Sequence, residues 1–242
     1  DKILSIDDIS TEGMNIEDAV KLIRGQRGTK VKLEILRGSK SFFKILSREK
    51  IEIKSVSSKV NQTKNGLSIG YVRIKQFNAN ASKETRDAIK DLETKKVAGY
   101  VLDLRSNPGG LLESSIDISR HFINKGVIVS TVSKDGLKET KKGNGQALTK
   151  KPLVVLVNEG SASASEIVSG AIKDNKRGKL VGKKTFGKGL VQSMRTLVDG
   201  SGLTVTVAKY LTPNGTDINK SGIIPDIEVR MNINPILQRE IG

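Results

Sequence analysis

Pro152–Gly170 reads PLVVLVNEGSASASEIVSG, and it sets the fold class of this chain. The apolar run Leu153 to Val157 stops at Asn158-Glu159-Gly160, and an amphipathic run begins near Glu166. That order is strand, sharp turn, helix, with small hydroxylated residues at the helix start. Such a turn can hold one serine oxygen beside unbonded backbone amides. Lys188 follows in the glycine-flanked segment TFGKGLVQ. The chain has one histidine and no cysteine, so a serine hydrolase built on it would take a lysine as base.

Outward from this unit, strands and helices alternate. Gly66 to Phe77 reads as a strand-pair region, Ser82 to Lys95 as an amphipathic helix and Gly99 to Leu104 as a short apolar strand. Ser106-Asn107-Pro108-Gly109-Gly110 breaks the chain before a helix over Leu111 to Phe122. Val127 to Val132, a short strand near Val181 and the long alternating Leu203 to Tyr210 complete the pattern, with the helix Ser163 to Asn175 between. Strands alternating with helices predict an α/β core with a partly parallel sheet.

Residues 1–46 form a smaller module, 47–230 the large one and 231–242 a tail. KILSIDDIS predicts a strand turning at Asp7-Asp8, and Asn15 N-caps a helix to Arg24 with Ile16, Ala19, Val20 and Ile23 on one face. Val31, Leu33 and Ile35 alternate with charges as an antiparallel strand does, and Ser41 to Leu46 returns. Residues 47–60 are a polar connector holding a short alternating strand, Ile51 to Val56.

Composition narrows the function classes. A length of 242 residues, 36% hydrophobic and 28% charged, fits a globular protein, and no run approaches the roughly 18 apolar residues of a membrane span. The missing initiator Met points to an internal piece of a longer protein. The net charge of +16 admits an anionic partner or a peripheral place on an anionic membrane, but the lysines are dispersed. Aromatic residues are only 3%, too few for stacking platforms, which argues against nucleic acid. No metal-ligand spacing or phosphate loop is present, so no cofactor is expected.

Serine needs a base within hydrogen-bond reach, and solvated lysine, with a pKa of about 10.4, is charged. Small glycines and apolar Phe186 and Leu190 around Lys188 are the surroundings that could desolvate it. Ser161, Ser163 and Ser165 compete for the nucleophile, and spacing alone does not separate them. Ser163 with Glu166 matches a capping box, which places Ser163 at a helix mouth but equally explains it as a cap. The Ala164 amide and one from Gly109 or Gly110 are candidate oxyanion donors. His121 falls in a helical run and reads as structural.

DLRSNPGG, VNEGSASASEI, VGKKTFGKGLVQ, GSGLTVTVAKYLTPNG and DINKSGIIPDI occur in order from Asp103 to Ile227. Together they resemble the carboxyl-terminal processing proteases, the tail-specific protease family, with GSGLTVTVAKYLTP similar to its photosynthetic and cyanobacterial members. The resemblance implies a ClpP/crotonase-like α/β protease core with a partial, N-terminally truncated PDZ module. It implies Ser163 as nucleophile, Lys188 as base 25 positions later, Gln192 orienting that base, and the amides of Gly109 and Ala164 as oxyanion donors. Ile16, Val20 and Ile23 would line a peptide groove. Asp174 matches an acidic position reported to matter in some members and is expected to be structural. Protein substrates held by their C-terminal tails, no cofactor, and an extracytoplasmic setting (periplasm, cell envelope or thylakoid lumen) follow from the same likeness. A peptide-binding scaffold on this fold, an anionic-surface binder and another crotonase-like hydrolase or lyase remain as alternatives.

Overall fold

The computed structural model describes residues 1–49 and 54–229. The expected strand Ile51 to Val56 lies partly, and the tail 231–242 wholly, outside the described residues. The chain divides into two compact units, Asp1–Ile53 and Lys54–Gly242.

The first unit holds β1 (Lys2–Ile6), β2 (Ile9–Ser10), α1 (Ile16–Ile23), β3 (Lys30–Arg37) and β4 (Lys40–Ser47), in sheet order β2-β1-β3-β4. Asp7 and Asp8 both take positive φ, 47° and 66°, which closes the tight β1–β2 hairpin. Asn15 caps α1, its Oδ1 accepting from Asp18 N at 2.9 Å. The small core joins Ile6, Val31 and Leu33 with Ala19, Leu22 and Ile23. Ile16, expected on the apolar face, is 82% exposed, because α1 turns Ala19, Leu22 and Ile23 inward instead.

The second unit is built on a six-stranded sheet, ordered β14-β11-β10-β7-β6-β5. Its strands are β5 (Val56–Gln62), β6 (Ser68–Ile74), β7 (Gly99–Asp103), β10 (Leu153–Val157), β11 (Lys179–Gly182) and β14 (Ile227–Glu228). All neighbours are parallel except β5, which runs antiparallel to β6. The region expected to hold a strand pair thus supplies one strand, β6, whose partner β5 comes from the preceding segment. A four-stranded antiparallel sheet, β12-β13-β8-β9, is made of β8 (Val127–Ser133), β9 (Lys138–Lys142), β12 (Leu190–Thr196) and β13 (Gly202–Leu211).

Helices α2 (Ala81–Thr94), α3 (Leu112–Phe122) and α4 (Ala164–Asp174) connect the strands. α4 touches β11 of the large sheet, β8 of the small sheet and α3. Cover from several sides explains why Ala164 to Ile172 are all buried. The core runs through Val155, Val157, Leu102, Ile116, Val168 and Tyr210. Each expected helix is present within a residue or two. β9, with the charged sequence KETKK, was not foreseen, because a solvated edge strand carries no apolar alternation.

Candidate active site

The C-terminal ends of β7, β10 and β11 converge on one region. β7 leads into the glycine loop 105–110, β10 into the serine turn, and β11 into the loop that carries Lys188. In an open parallel sheet this edge is where ligands bind.

Asp103, fully buried at the end of β7, anchors the glycine loop. Its carboxylate accepts from Arg105 Nε at 2.9 Å, Arg105 Nη2 at 2.7 Å and Arg105 N at 3.0 Å. The Tyr71 hydroxyl also donates to it. Burial pushes this carboxyl upward, but the bonds from Arg105 and Tyr71 outweigh it and hold the group below the usual carboxylate range.

The three serines now separate. Ser161 Oγ donates to Leu104 O at 2.8 Å and Ser165 Oγ to Asn107 O at 2.9 Å; both side chains are buried. Those hydroxyls tie the serine turn to the loop after β7. Ser163 alone lines an open cleft of about 510 Å³, with Gly110, Leu112, Lys188, Val191 and Gln192. Its backbone sits at φ 55°, ψ −113°, a conformation that L-residues rarely adopt and that marks functional turns. Ala164 N, first in the helix, makes no hydrogen bond among the described residues. Gly109 lies against this turn: a Cβ there would meet Ala162 O at 2.7 Å and Ser163 Cβ at 2.8 Å. Its N–H donates to Asn107 Oδ1 at 2.9 Å, whereas Gly110 N has no partner among the described residues.

Glu166 is the residue whose role the sequence understated. Fully buried, its Oε2 accepts from Ser163 N at 2.8 Å and Lys188 N at 2.9 Å. Its Oε1 accepts from Gly187 N at 2.7 Å and Thr185 Oγ1 at 2.6 Å. One carboxylate oxygen therefore joins the peptide units of serine and lysine. Tyr210 closes the other side, its hydroxyl donating to Ser163 O at 3.1 Å and Lys188 O at 2.5 Å. Burial, and then the negative charge of Glu166, raise the Tyr210 pKa well above its ordinary value, so it stays a donor. The capping-box spacing pointed to Glu166 as a cap only; nothing local in the sequence announces Tyr210, 47 positions from Ser163.

The glycines flanking Lys188 serve packing. A Cβ on Gly187 would lie 2.9 Å from Gly222 N, and one on Gly189 2.8 Å from Asn219 N. The DINKSG segment thus presses on the lysine loop, with Lys220 N donating to Gly187 O at 2.8 Å. The expected shielding of the amine is not found. Lys188 is exposed and Phe186 is 64% exposed, because the loop spends its backbone, not its side chains, on the core. Among the described residues no hydrogen bond joins Ser163 Oγ to Lys188 Nζ, and the Gln192 side chain, exposed on β12, bonds to neither.

Asp174 sits at the other end of α4, accepting from Asn214 N at 3.0 Å, away from the cleft. His121 Nε2 lies 3.0 Å from Ser82 O, a packing role. A second recess of about 340 Å³ around Arg105, Leu156 and Val181 contains neither Ser163 nor Lys188. Among the described residues no cluster of His, Cys, Asp and Glu could hold a metal, and no helix is long and apolar enough to cross a membrane.

Comparison with known proteins places the chain in a family. The carboxyl-terminal-processing protease of Synechocystis sp. is 49% identical over 228 residues, covering 93% of this chain and 53% of that protein. The carboxy-terminal processing protease of Bacillus subtilis is 42% identical, with 96% and 49% covered. The chain spans about half the length of these curated relatives. The solved photosystem II D1 C-terminal processing protease superposes with a TM-score of 0.69 at 36% identity, over 96% of this chain and 64% of that one. The sequence pattern of peptidase family S41 matches residues 68–229, which span every strand end and loop that meets at the cleft, and the chain belongs to that family.

Proposed function

We propose that this chain carries the hydrolytic centre of a serine endopeptidase that cleaves protein substrates near their C-termini. Ser163 is the nucleophile and Lys188 the general base. The observation that carries the reading is the clamp between them: Glu166 Oε2 bonds both backbone N–H groups while the Ser163 side chain and Lys188 face one cleft.

Neutral Lys188 takes the hydroxyl proton as Ser163 Oγ bonds to the scissile carbonyl carbon. The oxyanion rests on Ala164 N–H and Gly109 N–H, the latter turning from Asn107 Oδ1 as substrate enters. The C–N bond breaks, and the lysine ammonium gives its proton to the leaving amine. Water then attacks the acyl carbon, passing a proton to Lys188, and the carboxylate product leaves as Ser163 regains its hydrogen. Substrate lying in the cleft supplies the desolvation that the free protein lacks at Lys188, and Gln192 then orients the amine. Leu112, Ile167 and Val191 suit an apolar side chain beside the scissile bond.

Residues 1–46 fit the later part of a PDZ domain, with Ile16 and Val20 of α1 toward a peptide groove and Ile23, expected beside them, packed on the small core. The 82% exposure of Ile16 supports that reading. An extracytoplasmic site of action accords with the chloroplastic relative from Arabidopsis thaliana, 43% identical over 93% of this chain.

The test is acylation by a fluorophosphonate probe together with peptide hydrolysis. Wild-type chain should label at Ser163, and Ser163→Ala and Lys188→Ala should each lower kcat by about a thousandfold or more while remaining folded. An unlabelled, inactive but folded wild-type chain would favour the peptide-binding scaffold instead.

A further inference from the structure

Helices α2 and α4 return to the N-terminal edge of the parallel sheet, opposite the cleft, and feed β7 and β11 there. Hydrogen bonds and an ion pair knit this rim together. Arg177 donates to Phe122 O at 2.9 Å, Thr149 O at 3.1 Å and Lys151 O at 2.9 Å. Tyr100 N donates to Pro152 O at 2.8 Å, and Lys151 Nζ pairs with Glu93 at 2.6 Å. The ends of α2, α3 and α4 and the segment entering β10 therefore share one edge. Five-residue strands put that edge roughly 16 Å from the serine turn.

The rim is basic. Lys96, Lys125, Lys150 and Lys176 are exposed there and make no ion pair among the described residues. The nearby carboxylates are already engaged: Asp91 by Lys95, Glu93 by Lys151, Asp174 by Asn214 N and Asp226 by Leu180 N. Lys96 and Lys176 each stand at φ 53° just past a helix end, where glycine is the unstrained choice. Compensation of helix dipoles accounts for basic residues in a last turn, but Lys150 lies on the loop before β10, at no helix end. The one arginine of the rim, Arg177, is spent on three carbonyls and offers no fork to a nucleic-acid phosphate. Beside the rim Ile224, 65% exposed, stands where Lys173 Nζ reaches its carbonyl at 2.5 Å. Unpaired lysines flanked by an exposed aliphatic side chain suit a layer of anionic headgroups with shallow apolar contact.

We propose that this rim docks the chain on an anionic lipid bilayer and holds the cleft lined by Ser163 and Lys188 on the side facing away from it. The proposal is independent of the hydrolytic reading, since no rim residue lines the cleft.

The test is co-sedimentation of the 242-residue chain with phosphatidylcholine vesicles, with or without about one-third phosphatidylglycerol, at low and high salt. Binding is expected only to the anionic vesicles and should weaken with salt. At φ 53° glycine removes charge and relieves strain together, so Lys96→Gly with Lys176→Gly should fold at least as well as wild type. Each rim lysine removed should lower the partition coefficient about fivefold. Lys125→Gln with Lys150→Gln should act likewise, and peptide hydrolysis by either pair should be unchanged. A control with Lys134→Gln and Lys138→Gln, both exposed at the β8–β9 turn away from the rim, should bind as wild type does. Equal losses in rim and control pairs would reduce the effect to overall charge and overturn the proposal. So would undiminished binding by the rim pairs, or preference for duplex DNA over the anionic vesicles.

Discussion

At the scale of single residues, three serines within five positions carry three different burdens. Ser161 and Ser165 donate their hydroxyls to buried carbonyls, so Ser161→Ala or Ser165→Ala should cost about 1–3 kcal/mol of stability by leaving those carbonyls unsatisfied. Both variants should keep measurable hydrolysis, whereas Ser163→Ala should lose it with little change in urea midpoint. Ser163 also holds a strained backbone at φ 55°. Ser163→Gly should therefore be more stable than Ser163→Ala by about 1 kcal/mol, although both are inactive. Equal stability of the two would mean the turn stores no strain. The Tyr210 hydroxyl fixes the serine and lysine carbonyls from the side opposite Glu166. Tyr210→Phe should lower kcat by roughly ten- to a hundredfold with a smaller change in KM, since only alignment is lost.

At the scale of elements, the site is a meeting of loops held by backbone contacts too close for side chains. Gly109→Ala would force a Cβ to within 2.7 Å of Ala162 O at a φ of 104°. We expect that variant to lose both activity and about 2 kcal/mol or more of stability. Gly66→Ala provides the contrast. It also has positive φ, 77°, but faces open space, so it should cost only about 1 kcal/mol and leave hydrolysis intact. Comparing the two by urea denaturation and peptide assay separates backbone strain from intrusion on Ser163. The length of α4 matters for the same reason. Its first turn carries Glu166 between two loops, and its buried body keeps that carboxylate from moving toward solvent.

At the scale of the whole molecule, pH acts on two groups of the second unit, the buried Asp103 and the half-buried His121. Asp103 has a depressed folded pKa, so it binds protons more weakly folded than unfolded. Its contribution is present above the ordinary value near 3.8 and is lost as pH falls through the lowered one. His121 is lowered by burial, against weaker upward effects of Ser82 and Asp117. Below about pH 6.5 the unfolded chain takes up a proton that the folded ring refuses, and stability declines until the folded pKa is reached. Urea midpoints should therefore sag first below neutral pH and again in strong acid. His121→Gln should flatten the first limb and Asp103→Asn the second, the latter also costing about 2–4 kcal/mol because Arg105 loses its partner.

The sequence by itself determined the α/β class, the order of the central strand-turn-helix units and the short list of serines, glycines and Lys188. These follow from local rules: apolar period, turn chemistry and the motif spacing shared with family S41. It did not reveal β9 and β12, although each pairs with its chain neighbour in a hairpin, because β9 is charged along its length and a register shift at Val191–Gln192 breaks the alternation of β12. Only the tertiary structure decided which serine faces the cleft, because that depends on where Leu104 O and Asn107 O wait to accept the other two hydroxyls. It alone turned Glu166 from a helix cap into the tie between two loops, and brought Tyr210 to both. It also left Lys188 in solvent, where neighbouring glycines and Phe186 had suggested shelter. Burial belongs to the packing of remote segments, and a window of eight residues around a lysine does not contain it.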